Sequence, residues 1–278
     1  MDRLDTLKRI AAQAARGELT FPSNVNATLR LQRTLDEPDC HVDLATHMIM
    51  AEPLLSARAV ALANSAAFNR SGRDVANVRA AVARLGFRTL RSLVASLIVR
   101  QLTGDTETPA LRAKAAQLWR HTANVAALAH VIAKKVTRID PETAMFAAIV
   151  HEVGGFYLLS RAAEFPRLLE DNSESWMQYG EKLIGRGVLK QLGVPDPVLC
   201  AAEALWQGTR ALPPETLGDT LSLANDLAQE ISPLQPLESA QVRQQAAMIN
   251  FGVGHTTLHR ILLDSADEIA SLTAALLT

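Results

Sequence analysis

Apolar residues recur every three or four positions along most of the chain, the spacing that places side chains on one face of a helix. Strict apolar–polar alternation, which predicts a strand, is absent, and β-branched residues are scattered. The pattern therefore predicts an all-α protein without strands. Pro, Gly, Asn and Ser between the apolar periods mark the expected helix ends. We predict helices near residues 1–16, 22–36, 41–51, 53–64, 77–85, 88–102, 110–137, 174–192, 196–206, 215–231, 237–250 and 255–276.

The most apolar stretch covers residues 141–159 and has the sequence PETAMFAAIVHEVGGFYLL. It is apolar on nearly every side, which is typical of a helix inside a core. His151 and Glu152 end its first part, and Gly154-Gly155 then turns the chain into a second apolar segment. A buried histidine and carboxylate must be paired, neutralised or bound to another group. The state of this pair is therefore the main question that the sequence raises about function.

A polar segment without periodicity, TGDTETP at residues 103–109, divides the chain. At 278 residues the chain is long enough for one large domain or two small ones. We predict a leader helix over residues 1–17, an N-terminal helical sub-domain over 18–104 and a C-terminal helical sub-domain over 105–278. The two sub-domains are expected to pack on each other.

Composition and charge narrow the range of partners. Hydrophobic residues make up 48% of the chain, charged residues 21% and aromatic residues 4%, which predicts a soluble protein with an aliphatic core. A net charge of −1 provides no field that attracts nucleic acid or an anionic membrane. Cys40 and Cys200 lie far apart, and no apolar run resembles a signal peptide or a membrane span. We therefore expect a cytoplasmic protein.

A metal site at His151 and Glu152 needs a further ligand from another helix. Adjacent residues on a helix point about 100° apart, so both can face one ion only near a helix end. His121 on the preceding long helix is the candidate, whereas His130 points about 180° away from it on the same helix. A buried histidine beside one carboxylate is more often a structural pair than a metal site. The residues alone therefore favour a structural role.

Two other patterns also have a structural interpretation. His255 and His259 in HTTLH share one face of a predicted helix, but Thr256 stands where the zincin motif has its glutamate. We expect an ordinary helix face there. A basic group offers nucleic-acid binding as a further alternative, through Arg84, Arg88, Arg91 and Arg100. The helix over residues 88–102 is too apolar to lie in a groove, however, and is expected in the core.

Five blocks of the chain resemble, in the same order, the bacterial HDOD signalling domain. They are MAEPLLSARAVALANSAAFNR (50–70), VRAAVARLGFRTLRSLV (78–94), LWRHTANVAALA (118–129), AMFAAIVHEVGGFYLL (144–159) and LKQLGVPDPVLCAAEALWQ (189–207). The resemblance covers about residues 18–210, and it implies a second sub-domain similar to the helical HD phosphohydrolases. The signature residues of the first blocks are expected to be structural: Glu52, Pro53, Asn64, Ser65 and Gly86.

HD phosphohydrolases bind metal through a histidine, a His-Asp pair and a distant aspartate. The resemblance carries the first histidine to His121 and the pair to His151 and Glu152, where glutamate replaces aspartate. It carries the distant aspartate to Asn225, with Asp226 beside it but rotated away. Loss of a carboxylate charge weakens a divalent-metal site, and the longer glutamate displaces its oxygen. The resemblance thus implies a degenerate site with no metal, no cofactor and no catalytic residue.

These inferences lead to a non-enzymatic signal-transduction module of bacterial regulation. It would act through contacts with a partner in trans, namely a kinase, a response regulator or a cyclic-nucleotide signalling enzyme. We expect no membrane or nucleic acid among its partners. The expected contact is the cleft between the sub-domains, near residues 103–109 and the His151 end. The alternative is an atypical metal-dependent phosphohydrolase or phosphodiesterase whose site consists of His121, His151, Glu152 and Asp226.

Overall fold

The fold is all-α, as predicted, apart from one short ribbon. The computed structural model describes residues 3–104, 108–162, 164–165, 168, 176–208, 211–234 and 251–278. The N-terminal half contains α1 (Arg3–Ala15), α2 (Ser23–Asp36), α3 (Val42–Met50), α4 (Pro53–Ala63) and α5 (Val78–Gln101). The C-terminal half contains α6 (Pro109–Ile132), α7 (Pro141–Val150), α8 (Val153–Arg161), α9 (Arg186–Gln191), α10 (Asp196–Gln207), α11 (Leu217–Leu227), α12 (Leu258–Leu263) and α13 (Ala266–Leu277). Two segments are π-helical, Ala133–Thr137 and Trp176–Gly185.

Helix starts coincide with the polar residues that the sequence places there. Asn77 caps α5 by accepting a hydrogen bond from the backbone N–H of Ala80 at 2.9 Å, as predicted. Thr108 caps α6 in the same way, and Asp140 caps α7. Thr216 forms a reciprocal capping box at α11. These local bonds satisfy backbone donors that have no partner inside the helix, so they fix where each helix begins.

Gly86 breaks α5 at the place where the sequence predicts a helix to end. Its backbone is non-helical, with φ of 72° and ψ of 168°, and the helix resumes directly after it. This positive φ is open to glycine at little cost but strains a residue with a Cβ. The two predicted helices over residues 77–85 and 88–102 are therefore two arms of one kinked element.

The helix α6 lies at the centre of the molecule. It packs against α7, α11 and α13, while α5 packs against α2, α3, α4 and α7. The buried apolar residues form one continuous cluster that includes members of both halves. The leader helix α1 packs against the π-helical segment Trp176–Gly185 and against α9. The predicted boundary near residues 103–109 falls partly on 105–107, which lie outside the described residues.

The predicted helix over residues 255–276 is wrong at its start. Strands β1 (Gly252–Val253) and β2 (Thr256–Thr257) form a two-stranded antiparallel ribbon, followed by α12 and α13. Gly254 takes a positive φ of 60° in the turn, which favours a hairpin over a helix. The same ribbon also corrects the prediction that the chain has no strands. The predicted helix over 237–250 lies outside the described residues.

The apolar segment Pro141–Arg161, which comprises α7 and α8, is long and apolar enough to cross a membrane. In the folded chain, however, 83% of its most apolar window is buried inside the protein. This burial is what a core helix shows, as the sequence predicts for this stretch.

Candidate functional site

His151 and Glu152 occupy the junction between α7 and α8. His151 is the C-cap residue of α7. Glu152 directly precedes α8, and its backbone is non-helical, with φ of −104° and ψ of 21°. This break in the helix reorients two adjacent side chains, so both are buried, with exposed fractions of 2% and 3%. His121 reaches the same place from α6, and its ring centroid lies 5.6 Å from that of His151.

One potential ligand atom from each of these three residues lies within 4.8 Å of the other two. The structure thus brings together His121, His151 and Glu152, the three residues that the sequence selects for one site. It does not add Asp226 to the cluster, although this residue is buried beside Asn225. Within the described ranges, no other group of three potential metal ligands meets the same distance condition.

The His151 ring is held in one orientation and kept neutral. Its Nδ1 lies 2.6 Å from the carbonyl oxygen of Ala148, so Nδ1 carries a proton and donates it there. Burial, and secondarily the neighbouring His121, lowers the pKa of His151 to about 3, although Ala148 and Asn225 partly offset this. Its Nε2 is buried and makes no well-formed hydrogen bond. An unprotonated, unsatisfied nitrogen therefore faces the protein interior.

His121 is held from the opposite side of the cluster. Its Nδ1 lies 2.6 Å from the carbonyl oxygen of Glu230, and its Nε2 lies 3.2 Å from Oδ1 of Asn225. Both ring nitrogens thus face oxygen atoms, and a neutral ring can donate only one proton. A neutral His121 consequently requires that Asn225 turn its NH2 group towards Nε2. The structure places Asn225 at the cluster, where the resemblance puts the distant acid.

The segment after α11, residues 228–234, closes over the cluster; we call it the covering segment. The Ser232 hydroxyl donates to Oε2 of Glu152 at 3.0 Å. The backbone N–H of Gln229 donates to Oδ1 of Asn124 at 2.9 Å, and Gln117 donates to the carbonyl of Ile231 at 3.2 Å. These bonds and the His121 contact leave the cluster buried from solvent.

The donor set fits a single divalent ion in chemical type. Two imidazoles and one carboxylate suit first-row divalent metals. The Nδ1 contacts of His121 and His151 with backbone carbonyls are the kind of bond that orients histidine ligands, and Nε2 of His151 is unsatisfied. His121, His151 and Glu152 would hold such an ion. Glu152 would supply the only negative charge among these three residues, and the neutral Asn225 beside them would add none.

The four arginines considered for nucleic-acid binding make contacts within the protein. Arg84 donates to the backbone carbonyls of Ala63 and Arg73. Ion pairs join Arg88 to Asp140 and Arg91 to Asp36. Arg100 lies over the ring of Trp119 at 5.7 Å. Arg84 and Arg100 are thus held by groups of the fold, and Arg88 and Arg91 each have a carboxylate partner.

The signature residues of the N-terminal half lie at turns and helix ends. Pro53 occupies the first turn of α4, directly after Glu52. The Asn64 side chain both donates to and accepts from the backbone of Val75, at 2.9 and 2.8 Å. Ser65 donates to the Leu62 carbonyl at 2.7 Å and so ends the helix by bonding back to its backbone.

Sequence reasoning did not identify the covering segment. The carbonyl of Glu230 and the Ser232 hydroxyl contact the cluster from a segment that begins inside the predicted helix over residues 215–231, whereas α11 ends at Leu227. Carbonyl groups are the same in every residue, so a backbone contact leaves no signal in the sequence. Only the position of the segment shortly after Asn225 indicates that it lies close to the site.

An all-helical protein with a buried His–His–Glu cluster at a helix junction is of the HD-like helical class. The chain belongs to the HDOD domain family, whose family model matches residues 21–191. The resemblance inferred from the sequence is thereby confirmed. No curated protein matches the chain at a significant level.

Several solved structures share the fold. A candidate metal-dependent phosphohydrolase from Shewanella amazonensis SB2B has a TM-score of 0.75 at 21% identity, covering 99% of this chain and 100% of the other. An HDOD domain protein of unknown function from Geobacter sulfurreducens has a TM-score of 0.61 at 18% identity, covering 98% of each chain. A candidate signal transduction protein from Marinobacter aquaeolei VT8 has a TM-score of 0.57 at 17% identity, covering 99% of this chain and 66% of the other. At these identities the likeness shows the fold alone.

Proposed function

We propose that this HDOD protein is a non-catalytic signal-output module that acts in the cytoplasm by binding another signalling protein. The partner would be a kinase, a response regulator or a cyclic-nucleotide enzyme. The observation that carries the proposal is the closed state of the cluster: His121, His151 and Glu152 are at most 3% exposed. Their hydrogen bonds run to the protein itself.

A metal-dependent hydrolase needs an open coordination position for water and a path for its substrate. Here Glu152 accepts from Ser232, and His121 faces the carbonyl of Glu230, so the covering segment fills that side of the cluster. Asn225 is neutral, so it adds no negative charge that would help to hold a divalent ion. In this proposal the cluster ties α6, the α7–α8 junction and the covering segment into one rigid unit.

Replacement of Glu152 by glutamine separates a structural role from a catalytic one. Glu152→Gln keeps an oxygen that accepts from Ser232 but removes the charge that a metal would need. In a host strain whose own copy is deleted, we expect the variant to restore the regulatory output as fully as the natural chain. The exposed Glu215 provides a matched control as Glu215→Gln. Loss of output by a folded Glu152→Gln protein, with the control intact, would contradict the proposal.

A metal-dependent phosphohydrolase is the second candidate, because three potential ligand atoms lie within 4.8 Å and Nε2 of His151 is unsatisfied. Metal analysis of the full chain, combined with a phosphodiester hydrolysis assay, tests it. We expect far less than stoichiometric metal and no hydrolysis. Asn225→Asp serves as a positive control, since a second carboxylate should increase metal retention. Stoichiometric metal with hydrolysis that His151→Gln abolishes would establish the enzyme and overturn the first proposal.

A further inference from the structure

A second polar site lies in a cavity of about 280 Å³ between the two halves of the molecule. Phe68 and Arg70, from the segment after α4, and Arg84 of α5 line it from the N-terminal half. His130 and Lys134, from the end of α6 and its π-helical extension, line it from the other half. The volume is near the lower limit of small-molecule sites, about 300 Å³, so it fits a compact ligand.

The cavity has more positive charge than its own carboxylates neutralise. Arg84 is fixed by the backbone carbonyls of Ala63 and Arg73, at 3.0 and 2.8 Å, which position its guanidinium without cancelling its charge. Arg70 is exposed and forms no hydrogen bond or ion pair within the described part of the chain. Lys134 is the exception, because it pairs with Glu268 at 2.5 Å. Within the described ranges, Arg70 and Arg84 thus remain without a carboxylate partner.

Glu142 and His130 are the other titratable residues that line the cavity. Glu142 opposes this charge with one carboxyl group, whose pKa is raised by burial and by the nearby Asp140. His130 is only 3% exposed, and its Nδ1 has no hydrogen-bond partner. Burial, and secondarily Lys134, lowers the pKa of His130 to about 4, while Glu268 and Asp140 act weakly in the opposite direction. The ring is therefore a neutral group that can donate one hydrogen bond.

We propose that this cavity binds the phosphate group of a small phosphorylated metabolite. Arg70 and Arg84 are its phosphate ligands, because the guanidinium fork matches phosphate oxygens in geometry and charge. His130 adds a buried polar contact. The ring of Phe68, whose centroid lies 5.8 Å from that of His130, forms an apolar wall for the rest of the ligand.

The volume limits the ligand to about the size of a mononucleotide, since larger molecules exceed a site of this class. A bound phosphate would contact residues on both sides of the cavity and so join the loop after α4 to the end of α6. Binding of the metabolite would therefore stabilise one arrangement of the two halves. This binding does not depend on whether the His151 cluster is catalytic.

Isothermal titration of the full chain with four probes tests the proposal: inorganic phosphate, ribose 5-phosphate, AMP and adenosine. We expect ribose 5-phosphate or AMP to bind and adenosine to show no binding. Arg70→Ala should weaken the binding by about tenfold or more, the loss expected for one charge-assisted phosphate contact. Arg33→Ala, at an exposed arginine of α2 that does not line the cavity, is the matched control and should bind like the natural chain.

Each result has a defined meaning. If inorganic phosphate were the only probe to bind, the site would be one for free phosphate, and the proposal of a phosphorylated metabolite would be wrong. Equal binding by the natural chain and Arg70→Ala would place the phosphate elsewhere. No binding of any phosphorylated probe at about 10 mM, beyond the weak millimolar range, would overturn the site itself. Since Arg70 is exposed, its removal leaves the core intact, and a loss of binding cannot be attributed to unfolding.

Discussion

The guanidinium of Arg58 is fully buried, with an exposed fraction of 0%, and has no carboxylate partner among the residues that the structure describes. Its one hydrogen bond is a long contact of 3.4 Å from Nη1 to the hydroxyl of Ser96. Its Nε and Nη2 are buried without partners, and the group lies 5.9 Å from the centroid of the Trp119 ring. Arg100 lies over the same ring at 5.7 Å. Two cations therefore share one indole inside the protein.

Replacement of Arg58 by methionine should stabilise the protein. A buried charge with unsatisfied donors costs more in lost hydration than a cation–π contact of about 1–2 kcal/mol returns. We expect Arg58→Met to raise the free energy of unfolding by about 1–3 kcal/mol, as measured by urea denaturation at pH 7.5. Arg33→Met on the exposed surface of α2 is the control and should change it by less than about 0.5 kcal/mol. A clear destabilisation by Arg58→Met would mean that the indole contact exceeds the cost of burial.

For single residues, the sequence indicates which polar side chains belong to the site better than it indicates which groups a buried side chain contacts. The approach of His121 to His151 follows from helical spacing together with the family resemblance, and the structure has their centroids 5.6 Å apart. The fixed position of Asn225 beside Nε2 of His121 agrees with the same reasoning. The surroundings of Arg58 could not be predicted, because the apolar spacing along α4 does not show which side chains lie near Trp119.

Between elements, Gly154 allows α8 to approach the π-helical segment Trp176–Gly185. A Cβ added at Gly154 would lie 2.5 Å from the carbonyl oxygen of Gly180 and 2.9 Å from Cα of Gly185. Both contacts are with backbone atoms, which cannot move aside by changing a rotamer. Since Glu152 stands two residues earlier, this close approach also fixes the carboxylate of the cluster.

Gly154→Ala should therefore destabilise the protein. The added methyl group forces a backbone shift, which costs about 1–3 kcal/mol in a well-packed core. We expect a loss of this size in the free energy of unfolding. Gly252→Ala is the control, because a Cβ there would meet no atom within 4 Å and φ is not positive. If Gly154→Ala were as stable as Gly252→Ala, α8 and the π-helical segment would have to separate at little cost.

The order and type of the helices were largely predictable, since local signals determine them. Caps such as Asn77 and Thr216 and the break at Gly86 are local, and the structure has helix ends at each of them. The ribbon at Gly252–Val253 was missed because two-residue strands are too short to show a period. The π-helical turns were also missed, since they depend on packing around them and have no pattern of their own.

The two halves are joined at the level of the whole molecule by the chain's final helix as well as by the core. Ser271 of α13 accepts from the backbone N–H of Ala66 at 3.1 Å, in the N-terminal half. Trp119 of α6 donates to the carbonyl of Leu276 in the same helix at 3.3 Å. With one continuous apolar cluster, these contacts favour unfolding of both halves in a single transition. Global stability therefore responds to buried groups in either site.

His130 and His151 make that stability depend on pH. Burial lowers their pKa values to about 4 and about 3, whereas the unfolded rings regain the ordinary value of 6.5. Below pH 6.5 the unfolded chain takes up protons that the folded chain cannot, so stability falls as the pH falls towards the folded-state pKa values. From pH 7.5 to 5.0 each histidine should cost about 2 kcal/mol. Urea denaturation at the two pH values measures the combined loss, about 4 kcal/mol.

A substitution at His130 separates the two contributions. His130→Leu fills a similar volume against Phe68 and removes one ring that titrates, so the loss between pH 7.5 and 5.0 should shrink by about half. His259→Leu, at an exposed histidine, is the matched control. An undiminished loss in His130→Leu would show that His130 is protonated in the folded protein. The nearby cations Lys134 and Arg70 oppose this, since both lower the pKa of His130. The halved loss would thus locate the pH response in the interior, at His130 and His151.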